Sequence, residues 1–122
     1  MLSYKIYKLI HLLGIMLLFA SLGAVTLHVI NGGYRQSNRG RKLLASSHGT
    51  ALLLILVGGF GMLACLGEGL SHWVGIKIVI WVALGAGLTL AYKKPAMARV
   101  LWWIYPCLGL LAAWTVLYLT AG

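Results

Sequence analysis

The sequence predicts an all-α fold: an integral membrane, up-down-up-down four-helix bundle forming a single transmembrane domain over residues 1–122. Three observations predict it. Hydrophobic residues make up 61% of the chain and charged residues only 9%, against about 25% charged in an average soluble domain. A soluble domain this small must cover most of its surface with polar groups, and this chain lacks them. Second, the apolar runs are long and continuous. In lipid the backbone must satisfy its own hydrogen bonds, and only helices or a closed barrel do so. A barrel would show short stretches of alternating polarity. Third, ten Lys and Arg face a single acidic residue, Glu68. Most of these bases sit between apolar runs, where membrane topology places them. The net charge of +9 therefore does not indicate nucleic acid, because no basic stripe adjoins a soluble fold.

The first helix is expected over residues 4–30. Its apolar run, Leu9 to Ile30, is long enough to cross a hydrocarbon core of ~30 Å. Lys5 and Lys8 before it and the small residues of Ala20–Ala24 have the flavour of a signal peptide. The apolar stretch continues to Ile30, so the segment reads as a retained helix. A polar hinge follows from Asn31 to Lys42. The second helix is expected over residues 44–66, and Gly67-Glu68-Gly69-Leu70-Ser71 forms a turn with Ser71 a candidate N-cap. The third helix is expected over 72–92, ending where Lys93-Lys94-Pro95 breaks it. The fourth is expected over 98–120, with Pro106 kinking it and freeing a carbonyl near Trp102. Short connections between neighbours imply the alternating bundle.

Counting bases orients the chain. Arg35, Arg39, Arg41, Lys42, Lys93, Lys94 and Arg99 fall on one side, so that side is expected in the cytoplasm and both termini outside it. Lys5 and Lys8 pull weakly the other way. Aromatic residues mark both edges: Tyr4, Tyr7 and Trp73 at one, Tyr34, Tyr92, Trp102 and Trp103 at the other. Small residues spaced by four mark close helix contacts, within the bundle or with other membrane subunits. They are Ala20/Ala24, Ala83/Gly87, Gly87/Ala91 and Gly109/Ala113, with Gly58, Gly59 and Gly61 serving the second helix.

Ionisable groups inside a membrane are costly, so each is a functional candidate. These are His11, His28, His48, His72 and Lys77. Alternation sorts them by depth. His11, His72 and Lys77 share one face of the membrane; His28 and His48 share the other. A six-coordinate haem b needs two axial imidazoles at similar depth. His28 with His48 meets that condition, as does His11 with His72, whereas His11 with His48 does not. Against this stands an interfacial or hydrogen-bonding role for each histidine alone. Lys77 either snorkels back to the interface or pairs with an acidic ligand group such as a haem propionate. Cys65 and Cys107 make no redox or metal motif, and they sit at different depths. No nucleophile–base pair or carboxylate dyad exists, and one acidic residue gives carboxylate-based transport little to work with.

The segment Tyr7-Lys8-Leu9-Ile10-His11-Leu12-Leu13-Gly14 resembles the histidine-bearing first helix of small bacterial four-helix membrane proteins. Trp73-Val74-Gly75-Ile76-Lys77 resembles their Trp-x-x-x-Lys opening of the third helix. These are the SirB2-like proteins, the CopD-like copper-resistance membrane domains and the HemJ-type protoporphyrinogen oxidases. The resemblance covers most of the chain in layout, through short apolar motifs. It implies a bacterial inner membrane location and, through the HemJ-type members, haem b. By motif it carries over only to His11 and Lys77. The fuller porphyrinogen-oxidase pattern is longer than this chain.

Two functions are expected to compete: a small polytopic membrane protein that binds haem b and is redox-associated, and a non-catalytic accessory or assembly subunit of a larger membrane complex. A small transporter trails them, since the chain has no repeat and no interior acid.

Overall fold

A computed structural model describes residues 3–67 and 72–119 of the chain. Those residues form five α-helices and no strand: α1 (Tyr4–Ile30), α2 (Arg41–Leu66), α3 (His72–Gly85), α4 (Gly87–Lys93) and α5 (Ala98–Trp114). The candidate N-cap Ser71, Glu68 and the end of the fourth run at Thr120 lie outside the described residues.

Among the described residues three segments are long and apolar enough to cross a membrane: Tyr4–Ile30, Arg41–Leu66 and Pro95–Leu117. The pair α3 and α4 makes a fourth candidate, bent by 42° at its break.

Helix α1 starts at Ser3, whose hydroxyl accepts the Ile6 backbone N–H at 3.4 Å. It is the central element. Its buried residues, His11, Gly14, Leu18, Ser21, Leu22, Val25, Thr26 and Val29, recur at helical spacing and define one face. Such a row meets a neighbouring helix along its length. Opposite it, Leu9, Leu13, Met16 and Leu27 are exposed. Helix α2 packs closely along α1 and begins three residues earlier than the expected position 44. It closes on Gly67, whose φ of +68° is left-handed, a conformation glycine adopts freely.

The expected single helix over 72–92 is divided. It breaks at Ala86, between Gly85, the last residue of α3, and Gly87, the first of α4. Glycine costs a helix interior about 1 kcal/mol relative to alanine, so two of them around one alanine make this the cheapest place to bend. A single-turn connection, Pro95–Met97, leads into α5. Pro106 remains inside a helix continuous from Ala98 to Trp114, after which Thr115–Leu119 form a wider π-type turn.

The core is built around α1, where Leu18, Leu22 and Val25 meet Ala51, Ile80, Leu84, Ala91, Leu101 and Tyr105. The small residues divide between two roles. Gly58, Gly87 and Ala91 are buried in helix contacts, whereas Ala20, Ala24, Ala83 and Ala113 are exposed.

Candidate functional site

His11 sits on the buried face of α1, against α2. The two backbones come so close that a Cβ on Gly58 would lie 2.6 Å from the His11 nitrogen. This approach brings His11 Nδ1 to 2.8 Å from the Ile55 carbonyl oxygen. A carbonyl only accepts, so Nδ1 carries the hydrogen, and in the neutral ring Nε2 is then the unprotonated nitrogen. Nε2 makes no hydrogen bond among the described residues. No buried side-chain nitrogen or oxygen among the described residues lacks a partner, so Nε2 reaches open space.

That space is a cavity of about 1020 Å³ among α1, α2, α3 and α5. Tyr4, Lys8, His11, Trp73 and Lys77 line one end; Thr26 and Trp102 line the other. From Tyr4 to Thr26 the α1 wall is about 33 Å long at 1.5 Å per residue. Most of the wall is apolar. Two of its polar side chains toward Thr26 are engaged: the Thr26 hydroxyl donates to the Leu22 carbonyl at 2.6 Å, and the Tyr105 hydroxyl donates to the Gly87 carbonyl at 2.8 Å. Trp81 Nε1 donates to the Leu52 carbonyl at 3.1 Å and fixes α3 against α2.

At the other end stand Lys8, His11 and Lys77. Lys77 is half-buried in the wall, and its Nζ lies 6.0 Å from the Trp73 ring centroid, at the outer reach of a cation–π contact. Lys8 lines the same end one turn before His11. A single basic imidazole nitrogen and two ammonium groups therefore line the same end of a long, largely apolar cavity.

The other three histidines stand elsewhere, and none lines this cavity. His48 is buried, and its Nε2 donates to the Leu84 carbonyl at 3.0 Å. Leu84 is in the last turn of α3, where helix carbonyls lose their own partners. Tyr105 grips Gly87 on the other side of the break, so side chains from α2 and α5 hold both halves of the bend. His28 turns back on the hinge after α1, with Nε2 at 3.0 Å from the Tyr34 carbonyl and 3.1 Å from the Ser37 hydroxyl. A Cβ at Gly33 would overlap that ring. His72 is exposed at the start of α3.

Of the five residues singled out in the sequence, His11 and Lys77 thus share one cavity. His28 and His48 each donate through Nε2 to a carbonyl at a separate place. Among the described residues no group of three or more His, Cys, Asp or Glu could hold a bare metal ion. Sequence reasoning missed Lys8 as a site residue and the carbonyl of Ile55. For Lys8 a signal existed, because i and i+3 lie on one helix face. For a backbone carbonyl there was none.

No family model, no curated protein and no solved structure matches this chain.

Proposed function

We propose that this chain is a small polytopic membrane protein, with four alternating spans and both termini outside the cytoplasm, that binds haem b and takes part in redox chemistry. The exterior supports insertion: Leu9, Met16, Leu53, Val79, Trp103 and Leu110 are each 59–71% exposed, and helices apolar all round belong in lipid. The layout-level resemblance to small bacterial membrane proteins supports reading that membrane as a bacterial inner membrane.

One observation carries the haem reading. His11 donates Nδ1–H to a backbone carbonyl and opens Nε2 to a cavity whose same end holds Lys8 and Lys77. Metal-binding histidines are oriented in this way, with the ring's other N–H fixed on a carbonyl or carboxylate. The residues fit haem b: His11 Nε2 would hold the iron, Lys77 and Lys8 would pair with the propionates, and the apolar wall would enclose the porphyrin. With one imidazole on the cavity, the fit is to a single histidine ligand instead of the His28–His48 or His11–His72 pairs. Bound haem supplies one-electron chemistry tuned by its ligand and surroundings. The chain's own contribution is to hold the tautomer of His11, to neutralise acidic groups and to keep water out.

Reduced-minus-oxidised absorption spectra of protein purified from haem-replete cells test this. Cytochrome b bands are expected in the wild type, lost in His11→Ala, and retained in His28→Ala and His48→Ala. Absent bands in the wild type would sink the haem reading. Joint loss in the His28 and His48 variants with retention in His11→Ala would restore that pair as ligands.

A second reading, an accessory subunit of a larger membrane complex, has its own support. Ala20 and Ala24 form a small-residue row that the bundle leaves uncovered. If the row docks on another subunit, Ala20→Leu with Ala24→Leu abolishes a crosslinked assembly without unfolding the chain.

A further inference from the structure

The end of the bundle away from Lys8 carries strong positive charge. Arg39, Arg41, Lys42, Lys93, Lys94 and Arg99 are all exposed there. The chain's one acidic residue, Glu68, comes after the opposite end of α2 in the sequence. The two basic segments are joined. Asn38, buried in the first loop, donates through Nδ2 to the Tyr92 hydroxyl at 3.0 Å. This bond sets the loop before α2 against the turn that carries Lys93 and Lys94. The Met97 backbone N–H donates to the Lys94 carbonyl at 2.9 Å, so that turn leads tightly into α5 and Arg99.

Arg99 also heads a groove. A wide, shallow groove of about 620 Å³ runs along the outer face of α5, lined by Arg99, Val100, Trp103, Ile104, Cys107, Leu108 and Leu111. From Arg99 to Leu111 is about 18 Å along the helix, and half of a ~30 Å hydrocarbon core is one leaflet. The groove therefore combines a cationic head with a largely apolar track one leaflet long.

We propose that this groove is a binding site for an anionic phospholipid. Arg99, with Lys94 and Lys93, holds the phosphate, and an acyl chain lies along Val100 to Leu111. The proposal rests on the membrane reading and is independent of haem. Guanidinium is the side chain best suited to phosphate, because its planar fork meets two oxygens together. Charge complementarity selects this occupant over a zwitterionic lipid, which would leave the cations uncompensated.

The test is native mass spectrometry of the detergent-purified full chain with dioleoyl phosphatidylglycerol or dioleoyl phosphatidylcholine. Phosphatidylglycerol is expected to give a retained one-to-one adduct. Arg99→Gln should weaken it about fivefold, the size expected for one cation at about 1 kcal/mol, and Arg99→Lys should weaken it less. Lys5→Gln, at the opposite end, should leave it unchanged. Glycerol phosphate without acyl chains should not displace the adduct. Equal retention of both lipids, or an Arg99→Gln adduct as strong as the wild type, would overturn the site. Displacement by glycerol phosphate would reassign it to free phosphate esters. A stoichiometric co-purifying protein that blocks phosphatidylglycerol would overturn the lipid as occupant. Alkaline extraction of membranes separates the two levels: release of the chain defeats the membrane reading, whereas retention without the adduct defeats only this site.

Discussion

A methyl group added at Gly58 would lie 2.6 Å from the His11 nitrogen and 2.7 Å from the Tyr7 carbonyl oxygen. Both are backbone atoms of α1, so relief requires the helices to part. Overpacking of this kind costs about 1–3 kcal/mol. Gly58→Ala is therefore expected to lower the melting temperature in detergent and to disturb the His11–Ile55 hydrogen bond. Gly75 is the control. It is exposed and a Cβ there meets nothing within 4 Å, so Gly75→Ala should be neutral or stabilising by up to about 1 kcal/mol through helix propensity. Equal effects at the two positions would show that the close approach does not matter. At this scale the sequence was partly legible. An interior histidine and lysine are rare enough in apolar helices to stand out, and His11 and Lys77 did. The carbonyl that fixes the His11 tautomer is invisible in sequence, since every residue has one.

The break between α3 and α4 belongs to the scale of elements. The Tyr105 hydroxyl and the His48 ring hold its two sides. Removing the hydroxyl with Tyr105→Phe should destabilise the protein by about 0.6 kcal/mol, the average found for hydrogen bonds between membrane helices, and by no more than about 1.7 kcal/mol. The two glycines should differ. A Cβ at Gly85 would sit 3.5 Å from Leu52 Cδ1, an ordinary contact, whereas one at Gly87 would sit 2.7 Å from Leu22 Cδ2 and 3.2 Å from the Tyr105 ring. Gly85→Ala is expected to be tolerated and Gly87→Ala to lower the thermal midpoint. A larger loss from Gly85→Ala would contradict this account of the break. Helix ends were legible, because polar hinges and Pro95 punctuate the apolar runs. The break was not, because Gly85 and Gly87 read equally well as small contact residues. The buried face of α1 was hidden for a related reason. Where every position is apolar, hydropathy carries no periodic signal, and only packing separates buried Leu18 and Leu22 from exposed Leu13 and Met16.

At the scale of the whole molecule, the open quantity is whether α3 and α4 together cross the membrane. The Asn38–Tyr92 hydrogen bond bears on it directly. Asn38 precedes α2, and Tyr92 is in the last turn of α4, so the end of α4 lies beside the start of α2. If α2 crosses the bilayer, α3 and α4 must return across it for that bond to form. A re-entrant pair would instead leave Lys93 and Lys94 on the side of Gly67. The clustering of exposed Arg39, Arg41, Lys93 and Lys94 at one end agrees with a full crossing, because positive loops gather in the cytoplasm. Thiol labelling in right-side-out membrane vesicles tests the arrangement, with Cys65 and Cys107 replaced by serine. Ser37→Cys and Ala96→Cys are expected to resist an impermeant reagent until the membrane is opened, and Ser3→Cys to react at once. Should Ala96→Cys react together with Ser3→Cys while Ser37→Cys stays protected, the chain has three spans and the Asn38–Tyr92 contact does not form in the membrane.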